Sequence, residues 1–294
     1  KYLKILIPIT TLSLIFVIDY YNKYYKPNTS FEDESIFLYV VEDDSIAFRD
    51  SISKYIKSKK TFYKVAKRLK YLQNKKTGRF KIDKDIGNNG IVNSLKFNNT
   101  PVNVTFNNQE RVEDLAGRVS KQIYQDSTAL LFAFRDKKFL KDNNLNEQNV
   151  LSIFIPNSYN IFWNSTPEDF RDRMLAEYNK FWNEERSKKA EELGLTRLEV
   201  ISLASIVQIE SRRNDERPRV AGLYINRLKK NMKLQADPTV IYTIKDYYKN
   251  FDTIIRRVLY RDLRLESEYN TYKVSGLPPG PITMPDISAI DAVL

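Results

Sequence analysis

The first run of hydrophobic positions, Ile5 to Ile18 (ILIPITTLSLIFVI), carries no charge. A bilayer-spanning helix needs about 20 residues. The run reaches that length if Tyr2 and Tyr20–Tyr21 sit at the interfaces and Lys4 extends outward. Pro8 falls in the first turns, where a helix tolerates it. The following DYYNKYYKP offers no small-residue cleavage site, which argues against a removed signal peptide. A buried soluble helix would leave the terminal position and the flanking lysines unexplained. Residues 1–30 therefore read as a single-pass membrane anchor, with Lys26 to Ser35 as a polar linker. Lysines on both sides leave its orientation undecided.

Beyond the linker the periodicity changes. Ser35 to Val41 reads as a strand, Ile46 to Ile56 as a helix capped by Asp44 or Ser45, Phe62 to Leu72 as a second helix and Arg79 to Ile82 as a returning strand. This order predicts a small α+β module over residues 31–98. Gly87 to Gly90 (GNNG) reads as a turn cluster, Val102 to Phe106 as a strand and Val112 to Tyr124 as a helix. Asp126 to Asn149 is mostly short, polar or locally helical, and Ile153 to Ile155 is a short apolar run. From Pro167 to Glu192 the spacing predicts one long helix, with Phe170, Met174, Tyr178, Phe181 and Trp182 as a packing stripe. Thr196 and Glu199 form a capping box for a helix that continues as VISLASIVQIE, apolar nearly all round and hence buried. The fold class expected is α+β, with residues 99–294 as a second, mixed domain.

The chain of 294 residues has no cysteine and no histidine. That excludes disulfides, thiolate zinc, thiol nucleophiles and a histidine base, so acid–base chemistry falls to Asp, Glu, Lys or Tyr. The net charge of +11 is concentrated between Lys54 and Lys84, which hold thirteen Lys/Arg against Asp83 alone. A solvated basic face and an attraction to anionic wall polymer, lipid or nucleic acid are both open.

Glu210 stands where this chemistry would be found. It shares a helix face with Leu203, Ile206 and Val207, and a carboxyl held against hydrocarbon stays protonated to higher pH, as a general acid requires. The alternative is a helix-end glutamate that reaches water and pairs with Arg212 or Arg213. Asn226, Arg227, Gln235, Asp237-Pro238-Thr239 and Tyr242 follow, then Tyr269-Asn270-Thr271-Tyr272 and the loop Gly276-Leu277-Pro278-Pro279-Gly280-Pro281-Ile282. Amides, hydroxyls and rings around one acid suit a neutral, hydroxyl-rich ligand such as a sugar, and the Gly-Pro loop suits a rigid wall that backbone approaches closely.

The order LASIVQIES, ERPRVAGLYINRLKKNMKLQADPTVIY and YNTYKVSGLPPGPI resembles the bacterial MltG (YceG-like) endolytic murein transglycosylase family. The likeness is specific over Leu203–Ile282 and looser through VTFNNQERVEDLA and FIPNSYNIFW, while the small module resembles that family's LysM-like subdomain. The resemblance implies a lyase that cleaves the MurNAc-β-1,4-GlcNAc bond within nascent peptidoglycan strands, leaves 1,6-anhydro ends and limits strand length. It implies Glu210 as the catalytic acid and base, and Asn226, Arg227, Gln235, Tyr242, Asn270 and Tyr272 as substrate contacts. Glu216 and Asp237, with Pro238, Gly276, Pro278, Pro279 and Gly280, would shape the site. No metal or cofactor is implied. The expected partners are glycan strands, the cytoplasmic (inner) membrane with the catalytic domain outside the cytoplasm, and cell-wall synthesis machinery, but no nucleic acid. The family often has Glu where this chain has Gln208, and its members continue past the position of Leu294 into a Gly-x-His-x-Phe strand region, so part of the site wall is expected beyond this chain. The sequence leaves two rival classes, a non-catalytic wall-binding scaffold and a basic nucleic-acid binder.

Overall fold

The computed structural model describes residues 2–41 and 44–294, with side chains from residue 11 onward. The placements expected of the Tyr2, Lys4 and Pro8 side chains lie outside the described residues. The chain divides into two compact units, one running to Val102 and including Asn160–Asn164, the other comprising Asn103–Tyr159 and Ser165–Leu294. The architecture is mixed α+β, with helices around two small sheets.

In the first unit the elements are α1 (Tyr2–Tyr24), β1 (Ser35–Val40), α2 (Ser45–Ser53), α3 (Lys59–Arg68), β2 (Gly78–Asp83) and α4 (Asn88–Phe97). Strands β1 and β2 pair antiparallel, from Ser35 opposite Asp83 to Val40 opposite Gly78. Alternation turns Leu38, Val40, Phe80 and Ile82 inward, onto Phe48, Ile52, Phe62 and Leu95 from the helices. The GNNG stretch is not a free turn. Gly87 is the residue before α4 and Asn88 is its first.

That start is tied to the end of α1. Asn28 and Asn88 are buried and bond each other at 2.6 Å, and Asn88 also donates to the Lys23 carbonyl at 2.7 Å. Pro27 bridges Gly87, where a Cβ would stand 2.6 Å from the Tyr24 carbonyl oxygen. The stretch expected to be a polar linker is therefore stitched to the module, because buried amides need partners and find them here. Among the described residues no helix is long and apolar enough to cross a membrane. The uncharged run of α1 gives way at Asp19 to a polar, tyrosine-rich end.

The second unit holds most of β3 (Pro101–Phe106) and the first half of β4 (Asn157–Phe162), together with α5 (Val112–Ser120), α6 (Ser127–Phe134), α7 (Lys137–Asp142), α8 (Pro167–Phe181), α9 (Glu184–Leu193), α10 (Arg197–Glu210), α11 (Arg217–Lys229), α12 (Asp237–Tyr247) and α13 (Ile287–Val293); Pro101, Val102 and residues 160–162 count with the first unit. The helix expected over Pro167–Glu192 is two helices. Trp182 leaves helical geometry, and the Asn183 side chain caps α9 by accepting from the Arg186 amide. Helix α10 is the hub. Its residues Val200 to Gln208 are all buried, and it packs against α9, α11, α12 and α13.

Candidate active site

Glu210 is the last residue of α10. Leu203, Ile206 and Val207 on its face are fully buried, but Glu210 itself is exposed, so the expected burial against hydrocarbon is not found. The helix ends at the surface there, leaving the carboxyl open on one side and shielded on the other. That partial burial still raises its pKa above the ordinary carboxylate value, the negative charge of Asp237 raises it further, and a hydrogen bond from the Tyr224 hydroxyl opposes both. Arg213 does not serve as its partner, since it pairs with Asp215 at 2.7 Å and Glu216 at 3.4 Å.

The segment after Glu210 is held from three sides. Ser211 donates to Glu216 at 3.0 Å, and buried Arg217 donates to the Ser211 carbonyl at 3.2 Å while pairing with Asp286 at 2.9 Å. Glu216 thus braces the loop that begins at Glu210. Gln208 is buried and accepts the Asp286 amide at 2.6 Å, which anchors the start of α13.

Helix α11 brings Tyr224 and Arg227 to one face, three residues apart. Tyr224 is buried, and that burial, followed by the Glu210 charge, raises its own pKa. The Arg227 guanidinium donates to the Leu234 carbonyl, and its charge partly opposes the upward pKa shifts of Tyr224 and Tyr272. Asn226 is exposed.

Two buried threonines clip the other wall together. The Thr239 and Thr271 hydroxyls bond at 2.8 Å, and Thr271 also accepts the Ala236 amide at 3.0 Å. The Gln235 amide donates to the Thr271 carbonyl at 3.1 Å, and Gln235 adopts φ 52° with its side chain exposed. This clip sets Asp237, at the start of α12, beside Tyr272, whose hydroxyl donates to it at 2.6 Å. Burial, the Asp237 bond and charge, and the Glu210 charge push the Tyr272 pKa up to about 12.

Glu210, Tyr224, Arg227, Asp237 and Tyr272 therefore form one electrostatic cluster. Two expected substrate contacts stand elsewhere. Asn270 is fully buried; its amide donates to the Leu263 and Leu265 carbonyls and its oxygen accepts the Tyr272 amide, so it shapes the loop that presents Tyr272. Tyr242 packs on Tyr269 at 4.6 Å and lines a separate cavity of about 340 Å³ with Glu110, Arg111, Glu113 and Arg135. Pro238 stands in the first turn of α12 and is buried. In the Gly-Pro wall Gly276 takes φ 85°, Pro278 is buried, Pro279 is partly buried, and Gly280 lies against the Gln148 carbonyl. The Ile282 amide then donates to Ser205 inside α10 at 3.1 Å.

Tyr224 and Arg217 were not singled out from the sequence. The signal for Tyr224 was its place three residues before Arg227, on the same helical face. Among the described residues no group of three or more potential metal ligands occurs. A carboxyl that keeps its proton above the usual range, opens to solvent and receives a tyrosine hydroxyl can donate a proton and later accept one.

The chain resembles known proteins over most of its length. Residues 45–294 match the YceG-like family. The chain is 38% identical over 128 residues to an endolytic murein transglycosylase of Bacillus subtilis, covering 43% of this chain and 33% of that protein. It is 31% identical over 141 residues to an endolytic murein transglycosylase of Streptococcus pneumoniae, covering 47% of this chain and 24% of that protein. The matched stretches thus span a third or less of these curated relatives. A yceG-like protein of Listeria monocytogenes shares the fold at TM-score 0.56 and 21% identity, over 89% of this chain and 90% of the other. With the match running through both units and across the whole Glu210 cluster, this chain belongs to the YceG-like family.

Proposed function

We propose that this chain is an endolytic peptidoglycan transglycosylase in which Glu210 acts first as acid and then as base. The observation that carries the reading is the solvent-open Glu210 carboxyl with its raised pKa, fixed by Tyr224 and flanked by Asp237. Protonated, it gives its proton to the glycosidic oxygen between MurNAc and GlcNAc. As a carboxylate, it takes the proton of the muramyl C6 hydroxyl, whose oxygen closes on C1 of the same sugar. The attacking hydroxyl is already tethered, so no second carboxylate must activate water. Asn226, Gln235, Arg227 and Tyr272 supply the sugar contacts of this reading. The names of the relatives support it. Mass analysis of products from intact glycan strands tests it: 1,6-anhydro ends are expected. Reducing ends would instead assign Asp237 as a hydrolytic partner, and no cleavage would leave a wall-binding scaffold.

The neighbour charges fix the pH response. Asp237→Asn removes a charge that raises the Glu210 pKa, so Glu210 loses its proton at lower pH and the alkaline limb of the rate profile moves down. Tyr224→Phe removes the bond that lowers it, so that limb moves up. Opposite displacements in rate against pH are the expected result, and equal profiles would remove Glu210 as the titrating acid.

Anchoring through α1, with the catalytic unit outside the cytoplasm and near the synthesis machinery, belongs to the same proposal. Its support is the exposed apolar run that includes Leu12, Leu14, Ile15 and Phe16. A chain beginning at Asn28 is expected to leave the membrane pellet on carbonate washing. Retention there would exclude α1 as the anchor.

A further inference from the structure

One face of α1 changes chemistry in steps toward the end of the helix. Leu12, Phe16, Tyr20 and Tyr24 recur every four residues and therefore lie along one side of the helix. Leu12, Phe16 and Tyr20 are each about half or more exposed, and Tyr20 stacks on Tyr24 at 4.4 Å. Beside them runs a groove of about 720 Å³, lined by Phe16, Tyr20 and Tyr24 from α1 and by Lys64, Lys67 and Arg68 from α3. Its acid, Asp19, is already paired with Lys23. Among the described residues Lys64, Lys67 and Arg68 have no ion-pair partner, while Val65 of the same helix is buried beneath them.

We propose that this groove binds an anionic bilayer phospholipid. The proposal rests on the reading that α1 enters a membrane. The groove sets the apolar-to-aromatic face of α1 against the cationic face of α3, which matches the acyl chain, glycerol and phosphate of such a lipid. The phosphate meets Lys64, Lys67 and Arg68, the interfacial region meets Tyr20 and Tyr24, and an acyl chain lies along Phe16 and Leu12. Tyrosines favour the headgroup level for the same amphipathic reason, and basic side chains beside a span draw anionic headgroups. Charge complementarity separates this site from a general basic face, because the three unpaired cations converge on one groove.

The full chain, reconstituted in bilayer discs of equimolar phosphatidylcholine and phosphatidylglycerol and released into mild detergent, tests this by native mass spectrometry. Phosphatidylglycerol is expected to remain bound in preference to phosphatidylcholine. The triple variant Lys64→Ala, Lys67→Ala, Arg68→Ala is expected to lose that retention by about tenfold or more, while entering discs as the parent does. The three side chains are exposed, so Phe62, Val65 and Ala66 keep the helix in place, which circular dichroism checks. Equal retention of both lipids, or an unaffected triple variant, overturns the lipid site and leaves the anchor standing. Displacement of phosphatidylglycerol by soluble phosphate-bearing wall polymer reassigns the groove to polymer and also overturns it. A full chain that fails to enter even neutral discs refutes the anchor, and the lipid site with it.

Discussion

Glu210→Gln is expected to abolish release of anhydro-ended glycans while leaving the protein folded. The amide is nearly isosteric, and the packing of Leu203, Ile206 and Val207 beneath it does not depend on its charge. It has no proton to give the glycosidic oxygen and cannot recover one from the C6 hydroxyl. General acid–base catalysis is worth about 10²–10⁴-fold, and here both halves fall on one residue. Stability should move the other way. A carboxyl whose folded pKa is raised contributes fully below its unfolded value and loses that contribution as pH rises through the folded one. At neutral pH the amide removes this penalty, so the variant should melt no lower than the parent. Product analysis paired with thermal melts checks both signs. A folded Glu210→Gln that cleaves near the parent rate would end the assignment and direct attention to Asp237 and Glu216.

Gly280→Ala is expected to be the most destabilising conservative change in the Gly-Pro wall. A Cβ there would lie 1.9 Å from the Gln148 carbonyl oxygen and 3.2 Å from the Asn149 Cα. Both neighbours are backbone, so relief requires displacing one of two main-chain segments rather than a rotamer. Overpacking of this kind costs about 3 kcal/mol, which in a unit of this size lowers Tm by roughly 6–12 °C. Gly222, inside α11 with nothing within 4 Å of its absent Cβ, supplies the control. Alanine there should be neutral or stabilise by up to about 1 kcal/mol through helix propensity. If Gly280→Ala melts like Gly222→Ala, the close approach does not hold in solution.

Elements set by local periodicity were legible in the sequence. Both strands of the small module and the helix bearing Glu210 follow from alternation, apolar spacing and a capping box. The break at Trp182–Asn183 was hidden because the hydrophobic spacing runs on through it, whereas a single side-chain cap decides where the backbone restarts. The helix after GNNG was hidden because Gly and Asn there serve tertiary contacts with Tyr24 and Asn28. At the site, the acid was legible from its place on an apolar helix, though its exposure was not, since that depends on where the helix meets the surface. Tyr224 acquires its role only when α11 folds beside α10. Tyr242 and Asn270 fall among the right residue types but face, respectively, another cavity and the interior of a loop.

The junction at Gly87 has a mechanical meaning. With Asn28 bonded to Asn88, Asn88 to the Lys23 carbonyl and no side chain between Gly87 and Tyr24, α1 and the module form a stiff crank rather than a tethered pair. Each residue inserted into α1 above that joint would swing the module about 100° around the helix axis and lift it about 1.5 Å. Helix length in α1 thus sets the azimuth and the height of the module together.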